Sequence, residues 1–473
     1  MASDKNILIQ GTEQLARGEL DNVALSGGSV ILEDSAGRYV PFGCYTTPVF
    51  PIPVSEEVLV SWNADTPEET VVETQARVLV RDNWSPWFSF GKWSPYLHRQ
   101  GEWQEKQADP YVRGGRIVIP GRNAVSIQLR TYLYTNDDSR TPALRLLAAS
   151  VKPKLWSKSE GRPVNRDIRL PAYSQLCRDP AFAGELSGPT TLAALMNRFG
   201  QDILPEEVAM VSQDEAPGAR EENAAFYAAA AGCYGYPAWQ AWLDLAGLRE
   251  EIRQGNPVMA RVEYAGRPED EKPGMPWIEG VTGTATDHWL AVHGFLHDSS
   301  LEEDYVIVCD PLSGTDYGAE RRYRMDSFLK AFTGMCLLMR RRPRDSGQSA
   351  PERLCCELRE AESPNSYFFY RAGENLPLTP GVSGAPTPVG EEAPAAVPAE
   401  EAAPRAPIQG ILACTLLEGK AYATTAHKHF RFDLTVNPDG SVKLPETICE
   451  KGRRVTVYAV DAFGRMKVAE KIL

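Results

Sequence analysis

The sequence predicts a multidomain chain: an all-β sandwich, then an α+β domain, then a small β domain. Three observations carry this. Apolar and polar residues alternate with a period of two through the first third of the chain. Helical spacing enters near residue 187, and a stretch of Pro, Ala and Glu interrupts the last third. The boundaries read as 1–160, 165–342, and 350–375 joined to 408–473, with 376–407 as a disordered linker or insertion. At 473 residues the chain has room for such a division, since domains run to roughly 150 residues each.

In the first region, Val72, Thr74, Ala76, Val78 and Val80 share one face of Thr70 to Val80, opposite Glu73, Gln75 and Arg77. Val125, Ile127, Leu129, Thr131 and Leu133 alternate likewise with Ser126, Gln128 and Arg130. Clusters of Gly, Pro, Asn and Asp separate such segments, and no convincing helix lies among them, which fits a β-sandwich. Trp62, Trp84, Trp87, Trp93 and Trp103 crowd here. They fill the core and its corners, or form an aromatic platform for sugars or peptides.

The second region opens with helical spacing. After Ser187, Gly188 and Pro189, residues Leu192, Leu195, Met196 and Phe199 recur as on a core-facing helix that Gly200 can close. An acidic turn at Pro205–Glu206–Glu207, an alanine-rich segment from Asn223 to Cys233 and a helix from Leu245 to Gln254 come next. Gly255 and Pro257 stop that helix. Strands are expected at Val258 to Tyr264, Trp289 to Phe295, Tyr305 to Cys309 and Cys336 to Met339, so helices come first and antiparallel strands later.

Residues 376–407 are too poor in apolar side chains to offset their ordering entropy. The β segments on either side are expected to form one Ig-like domain. Phe430, Phe432, Leu434 and Val436 run into Asn437–Pro438–Asp439–Gly440, and Val442 and Leu444 come after it, which is a hairpin signal.

Composition narrows the partners. A net charge of −13 and a pI near 5.2 argue against nucleic acid, whose phosphates need basic patches. No apolar run approaches the ~20 residues that span a bilayer, and Met1 to Gln10 lacks the apolar core of a secretory leader. Nine cysteines without metal-ligand spacing fit reduced thiols in a cytoplasmic protein. Secretion through a missing or non-standard leader is the alternative. No metal or cofactor is expected.

Ser187, His288 and Asp310 stand in an order suited to nucleophilic catalysis. His288 opens one strand and Asp310 ends the next, so adjacent antiparallel strands bring them within hydrogen-bond reach. The carboxylate then fixes the imidazole while its other nitrogen faces the nucleophile. Gln175 can donate to an oxyanion. From spacing alone the signal is weak, and a capping serine, a packed histidine and a turn aspartate are the plainer reading. Cys177 and Cys309 flank motif residues, but Cys177 lies ten residues before the helix and reads as a buried structural thiol. His288 and His293 fall on opposite strand faces, and His427 with His429 lack a third ligand. The arginines at 340–342 and 344 read as a solvated exit from the domain.

Residues 169–340 resemble the peptidase domain of the bacteriocin-leader (double-glycine) cysteine peptidases and their papain-clan relatives. The first motif of that family stands as Ser174–Gln175 and Ser187–Gly188–Pro189–Thr190–Thr191. The middle stands as Ile252 to Val258. The second motif, usually Gly-His, stands as Asp287–His288–Trp289–Leu290–Ala291–Val292–His293–Gly294–Phe295, and the third as Cys309–Asp310–Pro311. The first region resembles the β-sandwich that often precedes this peptidase, with Ser61–Trp62–Asn63–Ala64–Asp65–Thr66–Pro67 intact and a Trp-Ser-x-Trp at Trp84 to Trp87.

The resemblance implies a papain-like fold, a bacterial source, and metal-free hydrolysis of a peptide or protein substrate. His288 would act as base, Asp310 would orient it, and Gln175 would serve the oxyanion. Ser187 stands where the family has its nucleophilic cysteine. A hydroxyl is a far weaker acid than a thiol of pKa about 8.5 and forms no standing ion pair with imidazole. The expected outcome is a pseudoenzyme with weak or lost hydrolysis, with a serine-dependent hydrolase as a second outcome. The rival from another class is a binding scaffold, taking peptides in the groove and carbohydrate on its β domains.

Overall fold

The computed structural model describes residues 6–67, 69–95, 101, 110–120, 124–153, 160–178, 186–200, 203–212, 214, 223–342, 356–371, 417–424, 431–437, 439, 441–461 and 466–473. The chain is multidomain and mostly β, with several sheets and few helices. It divides into two compact units, Met1–Pro351 and Glu352–Leu473. The segment expected as a linker, 376–407, lies outside the described residues, as do His427, His429 and Trp103.

The N-terminal part of the first unit is built on four long antiparallel strands: β1 (Phe50–Asp65), β2 (Thr70–Val80), β3 (Ala124–Thr135) and β4 (Ala143–Pro153), adjacent in the order β2-β3-β1-β4. The period-two pattern is what they bury. Val72, Thr74, Ala76, Val78 and Val80 point inward, as do Ile127, Leu129, Thr131 and Leu133. Thr74 and Thr131 lie directly opposite and hydrogen-bond through their hydroxyls at 3.0 Å. A one-turn helix, Gly11–Leu15, corrects the expectation that this region has none; one turn is too short to show a period.

The tryptophans differ in burial. Trp62 and Trp93 are fully buried. Trp84 and Trp87 are half-buried, with the Arg77 guanidinium 4.6 Å from each ring centre and Arg130 4.2 Å from that of Trp87.

Three helices come next: α1 (Ser187–Asn197), α2 (Pro205–Ser212) and α3 (Ala224–Cys233). The expected acidic turn is in fact α2. Proline suits a first turn, where its missing N–H would be unpaired, and Glu206 and Glu207 favour the positive helix end. Every α1 residue from Ser187 to Met196 is buried, so the helix is interior and not one-sided. All ten residues of α3 are buried too, and the Asn223 side chain caps it by accepting from the Ala225 N–H at 3.2 Å.

Beyond β5 (Ala238–Trp242), α4 (Leu245–Gln254) ends at Gly255, whose φ of 89° suits the left-handed cap. Then come β6 (Val258–Tyr264), β7 (Ala285–Asp298), β8 (Glu303–Cys309), β9 (Glu320–Arg324), α5 (Met325–Ala331) and β10 (Phe332–Met339). The strands form an antiparallel sheet in the order β5-β10-β6-β7-β8-β9. One face carries Val258, Ala260, Val262, Leu290 and Val292 into a core with α4 and α5. The other carries Met259, Trp289 and Ala291 into a core continuous with α1, α3 and the N-terminal strands.

That shared core has a polar seam. The Asn63 amide donates to the carbonyls of Ala228 (3.1 Å) and Ala238 (2.8 Å) and accepts from the Ala238 N–H (2.9 Å). Ser61 Oγ accepts from Gln240 N–H at 2.8 Å, and Ser150 Oγ from Trp242 N–H at 3.0 Å. β5 therefore spends backbone groups on side chains of β1 and β4. Part of the Ser61–Pro67 motif is this docking seam.

In the second unit, β11 (Cys356–Glu360), β12 (Ser366–Arg371), β13 (Leu417–Thr424), β14 (Arg431–Val436), β15 (Val442–Lys443), β16 (Arg454–Asp461) and β17 (Met466–Ile472) form one sheet. The order is β11-β12-β15-β14-β13-β16-β17. The segments on either side of 376–407 thus share a sheet through β12 and β15. The β14–β15 hairpin forms, with Asn437 N–H donating to the Ser441 carbonyl at 2.7 Å.

Candidate active site

Ser187 sits at the first position of α1. Its hydroxyl is not the helix cap, since the capping residue is Leu186. The Oγ atom instead accepts the backbone N–H of Trp289 on β7 at 3.2 Å. One helical turn on, the Thr191 hydroxyl donates to the Trp289 carbonyl at 3.1 Å. These two bonds bring the mouth of α1 against β7 beside His288. Gly188 permits the close packing of α1 on α3, because a Cβ there would collide with the Tyr227 ring. That ring in turn meets Trp289 edge-on, at 6.1 Å between centroids.

His288 and Asp310 meet as their strand positions require. His288 Nε2 lies 2.8 Å from Asp310 Oδ1, with both side chains buried. Asp310 Oδ1 also accepts the Leu312 N–H at 2.9 Å. Its Oδ2 accepts two phenols, Tyr264 at 2.7 Å and Tyr323 at 2.6 Å. Burial raises the pKa of this carboxyl. The adjacent His288 charge and the hydrogen bonds from His288, Tyr323 and Tyr264 outweigh that, and hold it at about 2. Asp310 is therefore an anion at neutral pH. Burial, and then the Asp310 charge, push both tyrosines well above their ordinary value, so both stay protonated donors.

Sequence reasoning missed both tyrosines. Tyr264 ends β6 and Tyr323 sits in β9, a strand not expected from its charged composition. A tyrosine closing a strand that neighbours the histidine strand was the available signal.

Gln175 is buried in a short 3₁₀ turn, Gln175–Cys177, pinned to the Asp310 side of the site. Its N–H donates to the Pro311 carbonyl at 2.8 Å, and the Ser174 N–H donates to Asp316 at 2.6 Å. Gln175 and Asp310 thus share one loop system, while Ser187 and His288 share the α1–β7 contact. The structure brings these four residues to one corner of the sheet.

Asp287, where the related motif has glycine, is left-handed at φ 53°. It lies in a bulge: Val262 pairs with His288 and Tyr264 with Ala285, leaving one residue of β6 opposite two of β7. Bulges re-aim a side chain locally. The Asp287 carboxylate pairs with Arg261.

The thiols lie apart from this chemistry. Burial pushes Cys309 up to about 12, so it carries no thiolate at neutral pH. Cys177 is exposed, which corrects the expectation of a buried thiol; it lies on the surface turn after Gln175, with its sulfur 3.4 Å from the Gly314 carbonyl. His293 Nδ1 contacts the Ile168 carbonyl at 2.9 Å and Asp167 at 3.1 Å. Among the described residues, no group of three or more His, Cys, Asp or Glu could hold a metal ion. Among them, too, no helix is long and apolar enough to cross a membrane.

Comparison with known families gives two matches. Residues 9–151 match the Peptidase C39 N-terminal domain, and residues 168–336 match the Peptidase_C39 like family. No curated protein matches the chain. The chain carries a C39, papain-clan peptidase-like domain preceded by an N-terminal domain of that family.

Proposed function

We propose that residues 165–342 form a papain-like α+β peptidase fold whose nucleophilic cysteine is replaced by Ser187. Peptide-bond hydrolysis is weak or lost, and extended peptides are bound in the groove. The observation that carries this is the Ser187 hydroxyl at the mouth of α1, accepting a backbone N–H beside an intact His288–Asp310 pair. In the residual mechanism Ser187 attacks the carbonyl, and His288 takes its proton and returns it to the leaving amine. Asp310 orients the imidazole and Gln175 donates to the oxyanion. Without a standing thiolate, proton removal must accompany attack.

A second reading has its own support. An Asp310 that is anionic at neutral pH and held by four donors is the kind of partner that fixes an imidazole in place for a hydroxyl nucleophile, which favours serine-dependent hydrolysis. We read the C-terminal unit as an Ig-like recognition module.

Native protein and Ser187→Cys, each with and without His288→Ala, are incubated with a peptide library. The proposal expects turnover from Ser187→Cys that His288→Ala removes, and little from the native chain. Robust native turnover that vanishes with His288→Ala establishes the serine hydrolase instead. Silence from both, with peptide binding retained, leaves the groove as a binding site only.

A further inference from the structure

The Asp310 carboxylate collects four donors from four places: His288 on β7, Tyr264 at the end of β6, Tyr323 on β9, and the Leu312 N–H in its own loop. A carboxylate offers about four lone-pair sites, so this one is full. A carboxylate held by histidine alone can pivot about its χ2 bond or exchange its oxygens. Here both phenols hold Oδ2, and rotation would break two buried hydrogen bonds at once.

We propose that Tyr264 and Tyr323 are positioning residues that lock Asp310, and through it the tautomer and ring plane of His288. This rests on the reading of His288 and Asp310 as base and orienting acid. With Oδ1 fixed as an acceptor, Nε2 must carry the proton, and Nδ1 is left as the lone-pair nitrogen for the nucleophile. Tyr264 acts twice. Its ring also stands edge-on to the imidazole, at 5.8 Å and 84°, and so opposes a ring flip. Tyr323 is held on β9 by its pairing with Val306 of β8, two residues from Arg321. The Arg321 side chain donates to the Gly318 carbonyl at 2.9 Å and the Thr282 hydroxyl at 2.7 Å, tying β9 to the segment after Asp310 and to the one before β7.

The test needs no catalysis. ¹⁵N-histidine spectra of the full chain are recorded for the native protein, Tyr264→Phe, Tyr323→Phe and Asp310→Asn. The native His288 is expected as a single Nε2–H tautomer with a slowly exchanging proton. Each Tyr→Phe change should speed that exchange about tenfold and introduce the second tautomer, as expected for losing one hydrogen bond to a charged group. If Asp310→Asn alters His288 but neither tyrosine variant does, the lock is wrong and the base–acid pair stands. If Asp310→Asn changes nothing, or the native tautomer is Nδ1–H, the pair itself falls. Should a variant fail to fold, the native protein still decides: slowly exchanging hydroxyl protons on both tyrosines support the lock, and rapid exchange of both overturns it.

Discussion

Ser187 accepts the N–H of Trp289, and that single bond gives the residue a structural task separate from catalysis. β7 and β8 pair from Asp298↔Glu303 down to Ala291↔Cys309, and there β8 leaves through Asp310 and Pro311. Trp289 is the next β7 residue facing that side, and proline cannot donate to a ladder. Ser187 and Thr191 take over, one accepting from Trp289 and the other donating to it. Ser187 and, one turn on, Thr191 of α1 complete the sheet where the strand stops.

Ser187→Ala should therefore cost about 1–3 kcal/mol, the usual penalty for a buried donor left without an acceptor. Ser187→Cys should cost less, because a thiol still accepts weakly. Urea unfolding of the three proteins checks the order. Equal stability of native and Ser187→Ala would remove the structural task.

Asp310 sets an acid limit. Its carboxyl is lowered from an ordinary value of 3.8 to about 2, so the stabilisation is fully present above pH 4 and is lost as pH falls through 2. That difference corresponds to about 2 kcal/mol. The native chain should lose stability over this window more steeply than Asp310→Asn, which has no carboxyl to protonate there. Unfolding free energies at pH 5, 4 and 3 test it, and parallel slopes would refute it.

Much of this architecture is legible locally. Alternation in β2 and β3, the Gly255 stop and the β14–β15 hairpin are properties of neighbouring residues, so the sequence declares them. Pro205–Glu207 misleads because proline and acidic residues mark both turns and helix starts. His288 and Asp310 are legible because strand ends carry them. Tyr264, Tyr323 and Asn63 are not, since their partners lie 46, 13 and up to 175 residues away. The identity of Ser187 is plain in sequence. Its bond to Trp289 depends on where β8 ends, which only the folded sheet defines.

The seam at Asn63 predicts cooperative unfolding across the first unit. Asn63→Ala strands three backbone groups of Ala228 and Ala238, and a cost of about 3 kcal/mol is expected at roughly 1 kcal/mol or more each. Gly232, whose added Cβ would fall 2.6 Å from Asn63 Cβ, shows how closely α3 approaches β1. Hydrogen exchange should report loss of protection in β5 and α3 together with β1. Destabilisation confined to β1 would mean that the two regions fold independently.

Asp287 tests whether the bulge before His288 is a backbone requirement or a charge requirement. Its φ of 53° is left-handed, a conformation that Asp and Asn tolerate better than branched residues. Its carboxylate also pairs with Arg261. Asp287→Asn keeps the conformation and removes the charge. Asp287→Gly relaxes the conformation and removes the charge. Asp287→Val removes the charge and opposes the conformation. If the backbone governs, Asn and Gly should unfold alike, each losing about 1–3 kcal/mol as the mostly buried Arg261 gives up its charged partner. Valine should lose a further 1–2 kcal/mol or so, the left-handed penalty, and with it the slow-exchanging His288 proton, because the bulge sets where that imidazole points. If all three lose the His288 signal equally, the Arg261 pair aims the histidine and the glycine of the related motif is a poor guide to this site.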